Sequence, residues 1–126
     1  MSNSANKVLI VDDDFISLEV LKAMVGQYPV EILTAQSGQE AIDLALAEQP
    51  RLILLDHELP DIDGIEVYCR LSEKLGDAMP LAAMVTGHQD DDFAERCSAA
   101  GINKRLHKPV KPTELADLLR VASGVE

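Results

Sequence analysis

The sequence predicts an α/β fold, a doubly wound open sheet of five parallel strands in the order 2-1-3-4-5 with helices on both faces. Two observations carry this prediction. Apolar runs alternate five times with segments of helical periodicity, the pattern of repeated β-α units. The runs also differ in polarity: the first, third and fourth are continuously apolar, as strands covered on both faces must be, while the second and fifth carry polar residues and read as edges.

Each element follows in order. Val8-Leu9-Ile10-Val11 is the first strand, and residues of about 15 to 27 form a helix with Ile16, Val20, Leu21 and Met24 on its apolar stripe. Val30 to Ala35 is the second strand, interrupted by Glu31 and Thr34. Ser37 and Glu40 form a capping-box start, after which Ala41, Ile42, Ala45 and Leu46 share a helical face that closes at Pro50. Leu52 to Leu55 is the third strand, and a helix from about Gly64 to Leu75 ends at Gly76. Leu81 to Val85 is the fourth strand, followed by a helix from about Asp90 to Ala100 that stops at Gly101. Ile102 to His107 is a fifth, more polar strand. Pro112 and Thr113 open the last helix, whose inner face holds Leu115, Leu118, Leu119 and Ala122.

The 126 residues suit a single domain over 1–126, with no repeat or linker. Hydrophobic residues make up 47%, enough for a core and too many for a disordered chain. The polar start, MSNSANK, lacks the apolar segment of a secretory signal, and no apolar stretch reaches the length of a membrane span, so a cytoplasmic protein with no membrane association is expected. Cys69 and Cys97 have no metal-type spacing and read as reduced thiols. The net charge of −11 argues against direct nucleic-acid binding, which needs a basic face. It suits a divalent cation or basic partners.

The chemistry concentrates at the strand ends. Asp12, Asp13 and Asp14 directly follow the first strand, and Asp56 directly follows the third. In the predicted order those strands are neighbours, so the acids meet at one edge of the sheet, near the switch point where such folds bind ligands. Clustered carboxylates repel unless a cation is present, and an oxygen-only set suits magnesium. Asp14 can equally serve as a helix cap. Capping does not account for Asp12, Asp13 and Asp56 together. Thr86 and Lys108 end the fourth and fifth strands on the same edge. A hydroxyl, an ammonium, a cation site and a carboxylate form a phosphoryl-transfer constellation.

These residues resemble the receiver domains of two-component response regulators, whose (βα)5 fold is flavodoxin-like. The likeness spans nearly the whole chain. It rests on Asp12-Asp13 after "VLIV", on "LLDHELPDIDG", on "MVTG" and on "HKP", in that order. It implies that Asp56 takes a phosphoryl group from a phosphohistidine of a sensor histidine kinase or histidine phosphotransfer protein. It implies a magnesium ion (Mg2+) held by Asp13, Asp56 and the backbone carbonyl of Glu58, with Asp12 acting through a bound water. Lys108 would pair with Asp56 or the phosphoryl oxygens, and Thr86 would bond the phosphoryl group. The bond before Pro109 would be cis, and Glu58 and His88 would flank the pocket mouth. A receiver assists its own phosphoryl transfer and loss without being a conventional enzyme. It signals to a downstream target or output domain, which the sequence does not name. The alternative is a receiver-like scaffold that works without phosphorylation.

Two rival acid motifs fail. In "DIDG", Asp61 and Asp63 lie five and seven residues beyond the third strand, too far for an aspartate-nucleophile phosphatase. A calcium loop with Gly64 at its sixth position would run from Leu59 to Arg70, neither a suitable ligand. Both acids read instead as loop and helix N-terminus residues, with Gly64 giving the turn its freedom. The chain departs from receivers at Arg105, three positions before Lys108, where an aromatic residue usually transmits phosphorylation. Lys104, Arg105, His107 and Lys108 form a basic edge, readable as a solvated edge strand or as a docking face for an acidic helix. The ending "VASGVE", soon after the last helix, leaves two expectations: a stand-alone receiver, or one from a longer protein.

Overall fold

The five apolar runs pair as one sheet. The computed structural model describes residues 7–87, 91–102, 104–108 and 110–123. In it, β1 (Lys7–Val11), β2 (Glu31–Ala35), β3 (Leu52–Asp56), β4 (Leu81–Thr86) and β5 (Lys104–His107) lie in the order β2-β1-β3-β4-β5, the predicted one. Every pairing is parallel. The polarity argument holds residue by residue: all of β3 is buried, whereas β2 begins exposed and β5 exposes both Lys104 and Arg105.

The helices are α1 (Phe15–Val25), α2 (Gly38–Glu48), α3 (Gly64–Leu75), α4 (Asp91–Ala100) and α5 (Pro112–Ser123), with a short 3-10 turn at Gly76–Ala78. Strand alternation divides the core into two layers. Leu9, Val11, Ile53, Leu55 and Met84 point to one face and pack with Ala41 and Ile42 of α2, Val67 and Leu71 of α3, and Phe93 and Cys97 of α4. Val8, Ile10, Leu52, Leu54 and Val85 point to the other, against Leu18, Leu21 and Val25 of α1 and Leu115, Leu118 and Leu119 of α5. Burying the central strands on both sides explains their unbroken apolar runs.

The predicted stripe of α1 is corrected. Leu18, Leu21 and Val25 are buried, while Ile16 and Val20 are 72% and 54% exposed. Phe15–Val25 is apolar on more than one side, so its periodicity allows two overlapping stripes. The hydrophobic layer selects Leu18, Leu21 and Val25, spaced i, i+3, i+7. α1 also ends at Val25, two residues early, and β5 starts at Lys104, with Ile102 buried just before it.

Side-chain caps set the starts of α1, α2 and α3. Ser37 Oγ accepts from Glu40 N–H at 3.2 Å, and Glu40 Oε1 reaches back to accept from Gln36 N–H at 3.0 Å. Asp14 caps α1, accepting from Ile16 N–H, and Asp63 caps α3, accepting from Glu66 N–H at 2.8 Å.

Candidate functional site

The end of β1 turns into α1 at Asp12. Its N–H donates to Ala35 O at 3.0 Å, and its Oδ1 accepts from Asp14 N–H at 3.0 Å. These bonds leave the other oxygen, Oδ2, to meet the Lys108 ammonium. Asp12 is buried to 1% exposure and Asp56, the last residue of β3, to 6%. Asp13 next to them is exposed. Carboxylate oxygens of Asp12, Asp13 and Asp56 all lie within 4.8 Å of one another. The sequence separates Asp12 and Asp56 widely, and the pairing of β1 with β3 removes that distance.

Lys108 closes the site from β5. Its N–H donates to Thr86 O at 2.9 Å, which ties the turn after β5 to the end of β4. Its ammonium lies 3.1 Å from Asp12 Oδ2 and 3.2 Å from Asp56 Oδ1. Thr86 is 2% exposed at the end of β4, beside Asp56 in the sheet order. The acids, the hydroxyl and the ammonium predicted at one sheet edge are therefore together there.

Burial pushes the Asp56 carboxyl up to about 6, and the Asp12 charge adds to this, against the pull of Lys108. Burial works to lower the Lys108 pKa, but the Asp56 and Asp12 carboxylates outweigh it and raise the pKa above the ordinary value. Three carboxylates against one ammonium leave two formal negative charges when all are ionised. A divalent cation would cancel them. The donors are all hard oxygens, two buried and one exposed, so the set fits magnesium with part of its water shell retained.

The family model of the response regulator receiver domain matches residues 8–120. The chain belongs to this family. It is similar to the positive alginate biosynthesis regulatory protein of Pseudomonas aeruginosa, at 38% identity over 119 residues, covering 92% of this chain and 46% of that protein. It is also similar to the osmosensing histidine protein kinase SLN1 of Saccharomyces cerevisiae, at 32% identity, covering 90% of this chain and 10% of the kinase. The chain thus spans less than half the length of either relative. Among solved structures, a CheY-like response regulator receiver domain protein from Methanospirillum hungatei aligns with a TM-score of 0.83 at 26% identity, over 95% of this chain and 98% of that one.

Two features of this receiver's site were not legible in the sequence. Asp61, read as a loop acid, reaches across to α2, where its carboxylate accepts from Gly38 N–H at 2.8 Å and Gln39 N–H at 2.9 Å. Those backbone bonds hold its pKa below the ordinary value. The acidic loop is thereby fastened to the start of α2, as Asp63 is fastened to Arg96 of α4 at 3.3 Å. Gly64 is the second, and its expected role is corrected. It is the first residue of α3, its backbone is not left-handed, and turn freedom is not what it supplies. A Cβ there would lie 2.5 Å from Asp56 O and 3.0 Å from Met84 Sδ. Glycine is required because α3 starts against the strand end that carries Asp56.

Arg105 is exposed on the edge strand, and with Lys104 it lines a groove whose far wall on α5 holds Glu114 and Asp117. The groove beside the basic edge strand is therefore mixed in charge. Glu58 is exposed in the loop after β3. His88 and Pro109 lie outside the described residues. Cys69 and Cys97 are free thiols, both raised in pKa first by burial. Among the described residues no helix is long and apolar enough to cross a membrane.

Proposed function

We propose that this receiver is the phosphoacceptor of a two-component phosphorelay, with Asp56 as the acceptor. The observation that carries the reading is the position of Asp56: buried at a strand end, within 4.8 Å of two further carboxylates and 3.2 Å from an ammonium. An Asp56 oxygen attacks the phosphorus of a phosphohistidine. The phosphorus–nitrogen bond breaks as the acyl phosphate forms, and the freed imidazole nitrogen takes its proton from solvent.

The chain's own groups have distinct parts in this step. The strand fixes the Asp56 carboxylate in line, so little freedom is lost on reaction. The Lys108 ammonium moves from the ionised Asp56 to the transferred oxygens and offsets their charge. The Thr86 hydroxyl donates to a phosphoryl oxygen. Asp13, Asp56 and the Glu58 carbonyl would hold magnesium, with Asp12 acting through water, and the ion would neutralise the oxygens of the transferring group.

The donor is a sensor histidine kinase or a histidine phosphotransfer protein, a reading supported by the yeast kinase relative that includes a matching segment. The output is a downstream protein or a further domain, and the setting is the cytoplasm. The receiver speeds its own phosphorylation and hydrolysis and turns over no separate substrate.

Incubation with magnesium and acetyl phosphate, followed by mapping of the acyl phosphate, tests the assignment. Label on Asp56 that vanishes in Asp56→Ala is expected. Label that survives this substitution overturns the acceptor assignment, and an absence of label in the wild type favours a scaffold that works without phosphorylation.

A further inference from the structure

The last residue of β5 carries a polar atom that the phosphoacceptor reading leaves unused. His107 Nε2 is buried and makes no hydrogen bond to any described group. A buried ring nitrogen without a partner is costly, so a state that gives it one is favoured.

The sheet shows which group is within reach. Thr86 and His107 are register partners across the β4–β5 pair. Leu106 points into the layer of α1 and α5, so its neighbour His107 points to the opposite face. Met84 points into the layer of α2, α3 and α4, and Thr86, two residues on, shares that face. The Thr86 hydroxyl and the His107 ring are therefore cross-strand neighbours on one side of the sheet, with strands spaced only about 4.8 Å apart. Thr86 is itself 2% exposed, so water does not compete freely for its oxygen.

We propose that His107 is a positioning residue for Thr86: its Nε2–H donates to the Thr86 hydroxyl oxygen when that hydroxyl turns its own proton to a phosphoryl group on Asp56. The proposal rests on the phosphoacceptor reading and goes beyond it by naming what holds the hydroxyl in place. A threonine hydroxyl has one proton and two lone pairs. Once the proton is committed to the phosphoryl oxygen, a lone pair remains to accept from the imidazole, and each bond polarises the other. The consequence is a link from the phosphoryl group through Thr86 to β5, the strand that also carries the exposed Arg105. In this chain, where arginine stands at the usual aromatic position, the link gives phosphorylation a route to the edge strand.

The test uses the full chain with magnesium and beryllofluoride, a phosphoryl mimic, and reads affinity by titration. His107→Gln keeps a side-chain N–H at similar reach and should bind the mimic within about twofold of wild type. His107→Leu removes the donor and should lose on the order of fivefold. In a Thr86→Val background both His107 substitutions should have no further effect. The Nε2 nitrogen resonance of wild-type His107 should shift on binding the mimic, and should not shift in Thr86→Val. A folded His107→Leu that binds like wild type overturns the proposal, as does equal loss in the Gln and Leu variants or an undiminished loss in Thr86→Val. Should His107→Leu fail to fold, an unmoved Nε2 resonance in the wild type overturns it. A wild type that takes up no beryllofluoride overturns the phosphoacceptor reading, and this inference with it. A wild type that binds while His107 proves silent overturns this inference alone.

Discussion

The ammonium of Lys108 lies 3.2 Å from Oδ1 of Asp56. The contact joins the ends of β3 and β5, which are not neighbours in the sheet, across the mouth of the site. The lysine stem approaches from the rim, leaving its side chain 31% exposed, while Asp56 stays buried. One cation therefore serves two buried carboxylates, Asp12 and Asp56, and any divalent ion entering the site must share them with it.

Removing that competitor should strengthen metal binding. Lys108→Ala is expected to tighten magnesium affinity on the order of tenfold, less than an unscreened charge at this distance would give, because the ammonium is partly solvated. The same substitution should slow phosphorylation by acetyl phosphate, since the transferred oxygens lose their cation. A magnesium titration and a labelling time course check the two effects. Weaker magnesium binding in the variant would contradict the shared-site account.

The raised Asp56 pKa sets a pH dependence. Between 3.8 and about 6 the folded, metal-free chain binds a proton at Asp56 that the unfolded chain releases. The stability from this group is thus fully present below the lower value and is lost as pH rises through the upper one. Asp56→Asn should therefore stabilise the metal-free chain more at pH 7 than at pH 4, as measured by urea unfolding at the two pH values. Phosphorylation should run the other way. In the proposed role only the ionised carboxylate would attack and bind metal, so the acetyl phosphate rate and the magnesium affinity should both fall as pH drops below about 6.

Gly64→Ala should cost about 1–3 kcal/mol in chemical unfolding. The added Cβ would stand 2.5 Å from Asp56 O, a backbone atom that moves only if the strand end moves with it. Phosphorylation should fall further than stability alone explains, because the displaced strand end carries Asp56, the proposed acceptor. A control at Gly76, where a Cβ would meet nothing within 4 Å but φ is +53°, should lose stability with phosphorylation intact.

Asp61→Ala should loosen the start of α2, which depends on two backbone bonds to that carboxylate. The folded Asp61 pKa is lowered, so its stabilising contribution is present above the unfolded value and is lost as pH falls through the folded one. The stability gap between wild type and Asp61→Ala should accordingly be open at pH 7 and narrow in acid. Hydrogen exchange at Gly38 and Gln39 should quicken in the variant at neutral pH. An unchanged exchange rate there would remove Asp61 from the cap.

The sequence by itself determined the strand order and which polar residues gather at one edge of the sheet. Polarity along each run separates strands covered on both faces from edges, and this is a local property. Asp12, Asp13, Asp56, Thr86 and Lys108 were legible because each stands where its strand stops, and parallel strands end on the same side of a sheet. The tertiary structure decided what no local pattern encodes. It chose Leu18, Leu21 and Val25 over Ile16 and Val20, since a helix apolar on two sides presents alternative stripes and only the layer beneath selects one. It fastened Asp61 to a helix start 23 residues earlier. It made Gly64 necessary through a close approach to Asp56 and set His107 beside Thr86 through strand register. Each of these depends on distances between segments remote in sequence, which periodicity cannot carry and packing fixes.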